Sequence, residues 1–135
     1  MDSSMHKSRR VCIALITNDS DNILMGRRND NGKWTNVGGH AEIKEDPYQS
    51  MIREVKEETG LDTQDIKLIG SRWDKDKNLI LYLFKVVVDP MQEMDTSKDP
   101  DKEVDSWHYM NPNDIVDELH VPLEDNIALK YWMQN

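Results

Sequence analysis

A chain of 135 residues with 37% hydrophobic and 32% charged side chains supports one soluble domain with a modest core. Its formal charge of −9 argues against a surface that coats nucleic acid, and any phosphate-bearing ligand would need bound cations to supply a local positive field. The longest apolar run, Leu79 to Val88, is interrupted by Lys85 and has the length of a strand, which excludes a transmembrane helix.

Residues 1–8 carry little pattern and read as a loose arm, with a single domain over 9–135. Lys7, Arg9 and Arg10 precede an apolar run, but that run stops at Thr17 with no small-residue cleavage site, which argues against a signal peptide. Arg10 to Thr17 reads as a strand. Its single cysteine, Cys12, cannot form an internal disulfide and reads as a buried thiol, with the cytoplasm as compartment. Asn18 to Asn22 is a turn cluster, and Ile23 to Arg28 a returning strand, so the two are expected to pair as a hairpin. Asn29 to Gly32 is a second loop, followed by a short segment at Trp34 to Val37 and a glycine-rich turn at Gly38-Gly39.

Between Asp46 and Gly60 the signals for a helix of about three turns are complete. Asp46 is placed as N-cap, Pro47 occupies a first-turn position that tolerates proline, and Gly60 is placed to end the helix in the left-handed conformation. Tyr48, Met51, Ile52 and Val55 form its apolar face. At roughly 100° per residue, Glu54, Glu57 and Glu58 point within about 100° of one another along the rim of that face. Three acids so close repel, and a divalent cation would remove the penalty; clustered oxygen ligands suit magnesium or manganese.

Beyond the helix, Thr63 to Asp65 read as a connection, Ile66 to Trp73 and Leu79 to Val88 as a strand pair around the loop Asp74 to Asn78, and 89–102 as a polar loop long enough to carry function. Val104 to Met110 is a further strand. Asn111 caps a helix through about Leu119, and a last helix spans Leu123 to Met133. No repeat, low-complexity tract or second domain is visible.

Gly39, five residues, Glu45, seven residues, then Arg53-Glu54-Val55-Lys56-Glu57-Glu58-Thr59-Gly60-Leu61 reproduces every fixed position of the Nudix box. This match spans 23 residues and constrains nine of them. The chain therefore resembles the Nudix hydrolases, which implies an α/β fold, an α/β/α sandwich around a mixed sheet. Many members carry proline before the paired glycines; here the residue is Val37.

The resemblance implies a role for each matching position. Glu54, Glu57 and Glu58 are metal ligands, with the Gly39 carbonyl as a further donor. Arg53 orients a box glutamate through an ion pair, and Glu45 holds the loop through backbone contacts or reaches the metal through water. The family's general base is either a box glutamate, here Glu57, or a glutamate on a later loop, here Glu103. For substrate, Arg27 and Arg28 lead towards the glycines, and strand alternation points one of them away. Trp34 is either core or the aromatic that family members place before the glycines. His40 follows the glycines, and Trp73 and Tyr82 are either stacking surfaces or core.

The activity implied is Mg2+-dependent (or Mn2+-dependent) cleavage of the pyrophosphate bond in a nucleoside diphosphate linked to another moiety, such as ADP-ribose, a dinucleoside polyphosphate or a nucleotide sugar. A (deoxy)nucleoside triphosphate pyrophosphohydrolase of the nucleotide pool is the second reading. A non-catalytic nucleotide-binding regulator is the third, and the complete set of box glutamates weighs against it. The partner expected is a small-molecule nucleotide, with no membrane and no stable nucleic-acid binding; a homodimer is left open.

Overall fold

The computed structural model describes residues 9–135, so the expected arm at 1–8 lies outside the described residues. Six strands, β1 (Arg9–Leu15), β2 (Ile23–Arg28), β3 (Trp34–His40), β4 (Thr63–Asp74), β5 (Leu79–Val88) and β6 (Val104–Met110), form one sheet in the order β4-β5-β1-β3-β2-β6. The β1–β5 pair is parallel and all others are antiparallel, so the sheet is mixed.

Alternation along β1 explains the layers. Cys12 and Ala14, with Ile16 just beyond the strand, pack with Met51, Val55, Phe84 and Trp107 beneath α1 (Pro47–Thr59). Leu15 faces the opposite way, into a second cluster with Trp34, Ile115, Ala128 and Leu129. That cluster is covered by α2 (Pro112–Ile115) and α3 (Ile127–Gln134). Period-2 alternation with both faces apolar requires cover on both sides, and the result is the α/β/α sandwich.

Several expectations need correction. The β1–β2 hairpin does not form: past the end of β1 the chain is joined to β2 at the Thr17–Ile23 bridge and by the Leu24 N–H to Ile16 carbonyl bond, and in the sheet β3 lies between the two strands. Thr63 to Asp65 belong to β4 rather than to a connection, because Thr63 and Asp65 pair with Val88 and Val87. Gly38 and Gly39 lie within β3, opposite Ile13 and Cys12, rather than in a turn. The helix after Asn111 is α-helical only to Ile115 and continues as a 3-10 turn, Val116–Glu118; the last helix is preceded by another, Leu123–Asp125.

Helix α1 is capped as its sequence dictates. The Asp46 carboxylate accepts from the Gln49 N–H, the Gln49 side-chain oxygen accepts in turn from the Asp46 N–H, and Gly60 closes the helix at φ 76°. Its buried face differs from the expected one. Ser50, Met51, Val55 and Thr59 are buried, whereas Tyr48 and Ile52 are exposed at 44% and 42%. Met51 and Val55 meet the sheet together with the small polar Ser50 and Thr59, while Tyr48 lies at the edge with its ring centroid 4.9 Å from that of Phe84.

Candidate active site

Strand β3 changes partner midway. Trp34 to Asn36 pair with β2, and Val37 to His40 pair with β1. A cleft of about 660 Å³ opens along this hand-over, lined by Gly38 and Gly39 of β3, by Glu54, Glu57 and Glu58 of α1, and by Asp99 of the segment after β5.

Arg53 organises the acids. Its Nε and Nη2 donate to both oxygens of Glu45 at 2.7 and 2.9 Å, and its Nη1 donates to Glu54 and Glu57, each at 3.1 Å. Nη2 also reaches the His40 carbonyl at 3.4 Å. Glu45 holds the loop as expected, accepting from the Glu42 N–H at 3.0 Å. The fork geometry of a guanidinium suits such shared service, and the Arg53 guanidinium holds the Glu45 carboxyl down at about 2.

Glu58 is left outside that clamp. Its carboxylate accepts from the Gly38 N–H at 3.2 Å and shares a hydrogen bond with Glu54. Burial first, then the neighbouring Glu54 charge, push the Glu58 carboxyl up to about 10. Burial also raises Glu54. Like charges brought together in a partly buried site, with Arg53 serving Glu54 but not Glu58, raise one another in this way. Gly39 lies directly against them: a Cβ there would stand 2.6 Å from the Glu54 carboxyl carbon. An all-oxygen donor set of this kind, with a backbone carbonyl alongside, fits a hard divalent cation. Among the described residues no trio of acidic, His or Cys side chains is already gathered for a metal ion; Glu57 is turned onto Arg53 instead.

The other expected residues separate. Arg28 and His40 line the cleft, whereas Arg27 and Trp34 do not. Trp34 is 8% exposed in the second core cluster, with the Arg27 guanidinium 5.7 Å from its ring centroid. Alternation thus sends Arg28 towards the site and Arg27 away from it. Glu103 lines the cleft edge, 60% exposed, with the Arg28 guanidinium 3.5 Å away. Trp73 and Tyr82 do not line the cleft; Tyr82 packs against the core.

Two contributors escaped sequence reasoning. Asp99 is 6% exposed and close enough for its charge to help raise Glu58. Asp95, Asp101 and Glu103 of the same segment are exposed, and nothing in the order of these acids marks out the buried one. Trp107 donates its indole N–H to the Glu58 carbonyl at 3.1 Å and fixes the end of α1. Gly26 on the neighbouring strand makes room for it, since a Cβ there would stand 2.8 Å from the indole ring.

The NUDIX domain model matches residues 6–131, and the chain belongs to that family. The chain is similar to the RNA pyrophosphohydrolase of Legionella pneumophila, 32% identical over 117 residues that take in 72% of this chain and 66% of that protein. It thus spans just under two thirds of the length of these curated relatives. Among solved structures, it is similar to a MutT from a study of the Aliivibrio salmonicida and Vibrio cholerae proteins, with a TM-score of 0.72 and 19% identity over 96% of this chain and all of that one. An ADP-ribose pyrophosphatase from Streptococcus suis superposes with a TM-score of 0.70 and 23% identity, covering 95% of this chain and 91% of that chain. At such identities the two structures establish the shared fold alone.

Proposed function

We propose that this chain is a divalent-metal-dependent hydrolase of the pyrophosphate bond in a small nucleotide, with a nucleoside diphosphate linked to a second moiety as its substrate class. The observation that carries this reading is the Glu54–Glu58 pair, two carboxyls brought together in the cleft against Gly38 and Gly39, with Glu58 outside the Arg53 clamp. Glu54, Glu58 and the Gly39 carbonyl would hold Mg2+ or Mn2+, with Glu57 joining them on leaving Arg53. The ion would polarise the diphosphate and acidify the attacking water.

The chain's own residues account for the rest. Arg53 keeps Glu54 and Glu57 oriented while Glu45 fixes Arg53. Arg28, tied on the cleft rim to Asp30 at 2.9 Å and to Glu103, receives a phosphate by exchanging carboxylate partners. Asp99 takes the proton of the attacking water, because it is the buried acid beside Glu58. Glu103, exposed and engaged with Arg28, sets that arginine rather than acting as base. The name of the Legionella relative raises RNA as substrate. Against it, the charged side chains lining the cleft are mostly acidic, with Arg28 and Arg53 as its arginines, which disfavours a long polyanion. A cytoplasmic setting, in keeping with the free, buried Cys12, accompanies this reading; among the described residues no helix is long and apolar enough to cross a membrane.

The test is phosphate release after coupled phosphatase treatment, with and without Mg2+, from ADP-ribose, dinucleoside polyphosphates, nucleotide sugars, the (deoxy)nucleoside triphosphates and a 5′-triphosphorylated oligonucleotide. Metal-dependent turnover fastest on a linked diphosphate is the expected result. Preference for a triphosphate would make this a nucleotide-pool enzyme, and nucleotide binding without turnover would make it a regulator.

A further inference from the structure

The segment from 89 to 103 joins β5 to β6 without helix or strand, yet it delivers a buried acid, Asp99, to the cleft. Its first turn is stapled to the end of α1. The Gln92 side chain accepts from the Asp62 N–H at 3.0 Å, and its amide donates to the Gly60 carbonyl at 3.3 Å and to the Asp62 carboxylate at 3.1 Å. Lys56 grips the same two residues, donating to the Asp62 carboxylate at 2.8 Å and to the Gly60 carbonyl at 3.3 Å.

Three residues beyond Gln92, the Asp95 N–H donates to the Thr59 carbonyl at 2.9 Å. Gly60 permits this approach, since a Cβ there would lie 2.6 Å from the Asp95 backbone. The last carbonyls of a helix lack intrahelical donors, and this segment supplies them. From the staple the chain turns tightly: the Ser97 N–H bonds the Asp95 carboxylate at 3.0 Å, and the Asp99 N–H bonds the Thr96 carbonyl at 3.1 Å. The residues immediately after Glu57 and Glu58 in the box, Thr59 and Gly60, therefore hold the strand of chain that carries Asp99.

We propose that Gln92 is a positioning residue for hydrolysis: by stapling the 89–103 segment to the C-terminal end of α1 it sets Asp99 beside Glu58. The inference rests on the reading that Asp99 takes part in the reaction. It adds that the Asp99 position depends on a side chain remote from the cleft, since Gln92 does not line it.

Gln92→Ala, Asp99→Asn and the double variant, made in the full chain, test this through two readouts. Hydrogen–deuterium exchange on metal-free Gln92→Ala should show faster exchange of amides 93–101 with α1 unchanged. Kinetics on the best-hydrolysed member of the nucleotide panel, at saturating Mg2+, should show kcat reduced on the order of tenfold, as for a misplaced reacting group, with KM unchanged. The double variant should be no slower than Asp99→Asn, because effects through one group do not add. Gln92→Glu sets a second carboxylate against Asp62; it should give the same pattern and provides the variant to use if Gln92→Ala does not fold. Unchanged exchange, or losses that multiply in the double variant, would overturn the inference alone. An Asp99→Asn enzyme as fast as the parent would overturn the reading of Asp99, and the inference with it.

Discussion

Arg53 divides its donors among Glu45, Glu54 and Glu57 and gives none to Glu58, so neighbouring carboxyls meet opposite electrostatic fates. Glu45 sits at about 2 against an ordinary 4.5. Its ion pair stabilises the fold above the ordinary value and loses that contribution as pH falls towards 2. Glu45→Gln should therefore lower the Tm at pH 7 and flatten its fall between about pH 4.5 and 2, where the carboxyl titrates; circular-dichroism melts across that range check this. Glu58 behaves inversely: raised to about 10, it binds a proton in the folded state that the unfolded chain has given up. Stability of the cation-free protein thus declines as pH rises from about 4.5 towards 10. Glu58→Gln removes that slope, so its Tm without divalent ions should exceed that of the parent at pH 8 by on the order of 5 °C, while hydrolysis falls about 100-fold or more. A melt in chelator, set beside a turnover assay, would show a site that trades stability for function. The clustering of Glu54, Glu57 and Glu58 was legible because their spacing places all three on one arc of the helix. Asp99 was not legible, since burial of one acid among several in a loop is a tertiary event.

The elements of the site are a helix with unusually polar buried residues and a strand with two adjacent glycines. The glycines do different work, and alanine substitutions should separate them. At Gly38 a Cβ would stand 2.5 Å from the Cys12 carbonyl oxygen, which belongs to the backbone of the paired strand. Gly38→Ala should therefore cost about 3 kcal/mol of stability in urea unfolding. At Gly39 the obstruction is the end of the Glu54 side chain, which can swing aside. Gly39→Ala should fold nearly as stably but bind Mn2+ at least tenfold more weakly by titration calorimetry, since a displaced donor costs about 1.4 kcal/mol per factor of ten. Helix α1 was legible in its limits because its caps are local chemistry. Its exact orientation was not: Met51 and Val55 are buried as their hydrophobicity dictates, but Ser50 and Thr59 take the flanking buried places while Tyr48 and Ile52 stay partly exposed.

For the molecule as a whole, the cleft exists because β3 leaves β2 for β1, and the six-strand order follows from that exchange. Long-range charge then bears on how substrate arrives. A chain of net charge −9 repels a nucleotide polyanion beyond the reach of any bound cation, and salt screens this repulsion over a Debye length of about 8 Å at physiological ionic strength. At saturating Mg2+, KM for the preferred nucleotide should therefore fall as KCl rises from low to physiological concentration, with kcat little changed. A KM that rises instead would mean that Arg28 and Arg53 dominate the approach despite their carboxylate partners.

The sequence by itself determined the helix and its caps, the extents of β5 and β6, and the family. Each of these depends on spacing within a few tens of residues, where 3.6-residue and 2-residue periodicities and capping chemistry act. Only the tertiary structure decided that β3 separates β1 from β2, that Arg28 rather than Arg27 faces the cleft, and that Asp99 is the acid brought to Glu58. Those outcomes arise from packing two apolar sheet faces under separate helices, and from long-range hydrogen bonds such as those of Gln92, whose partners lie about thirty residues away.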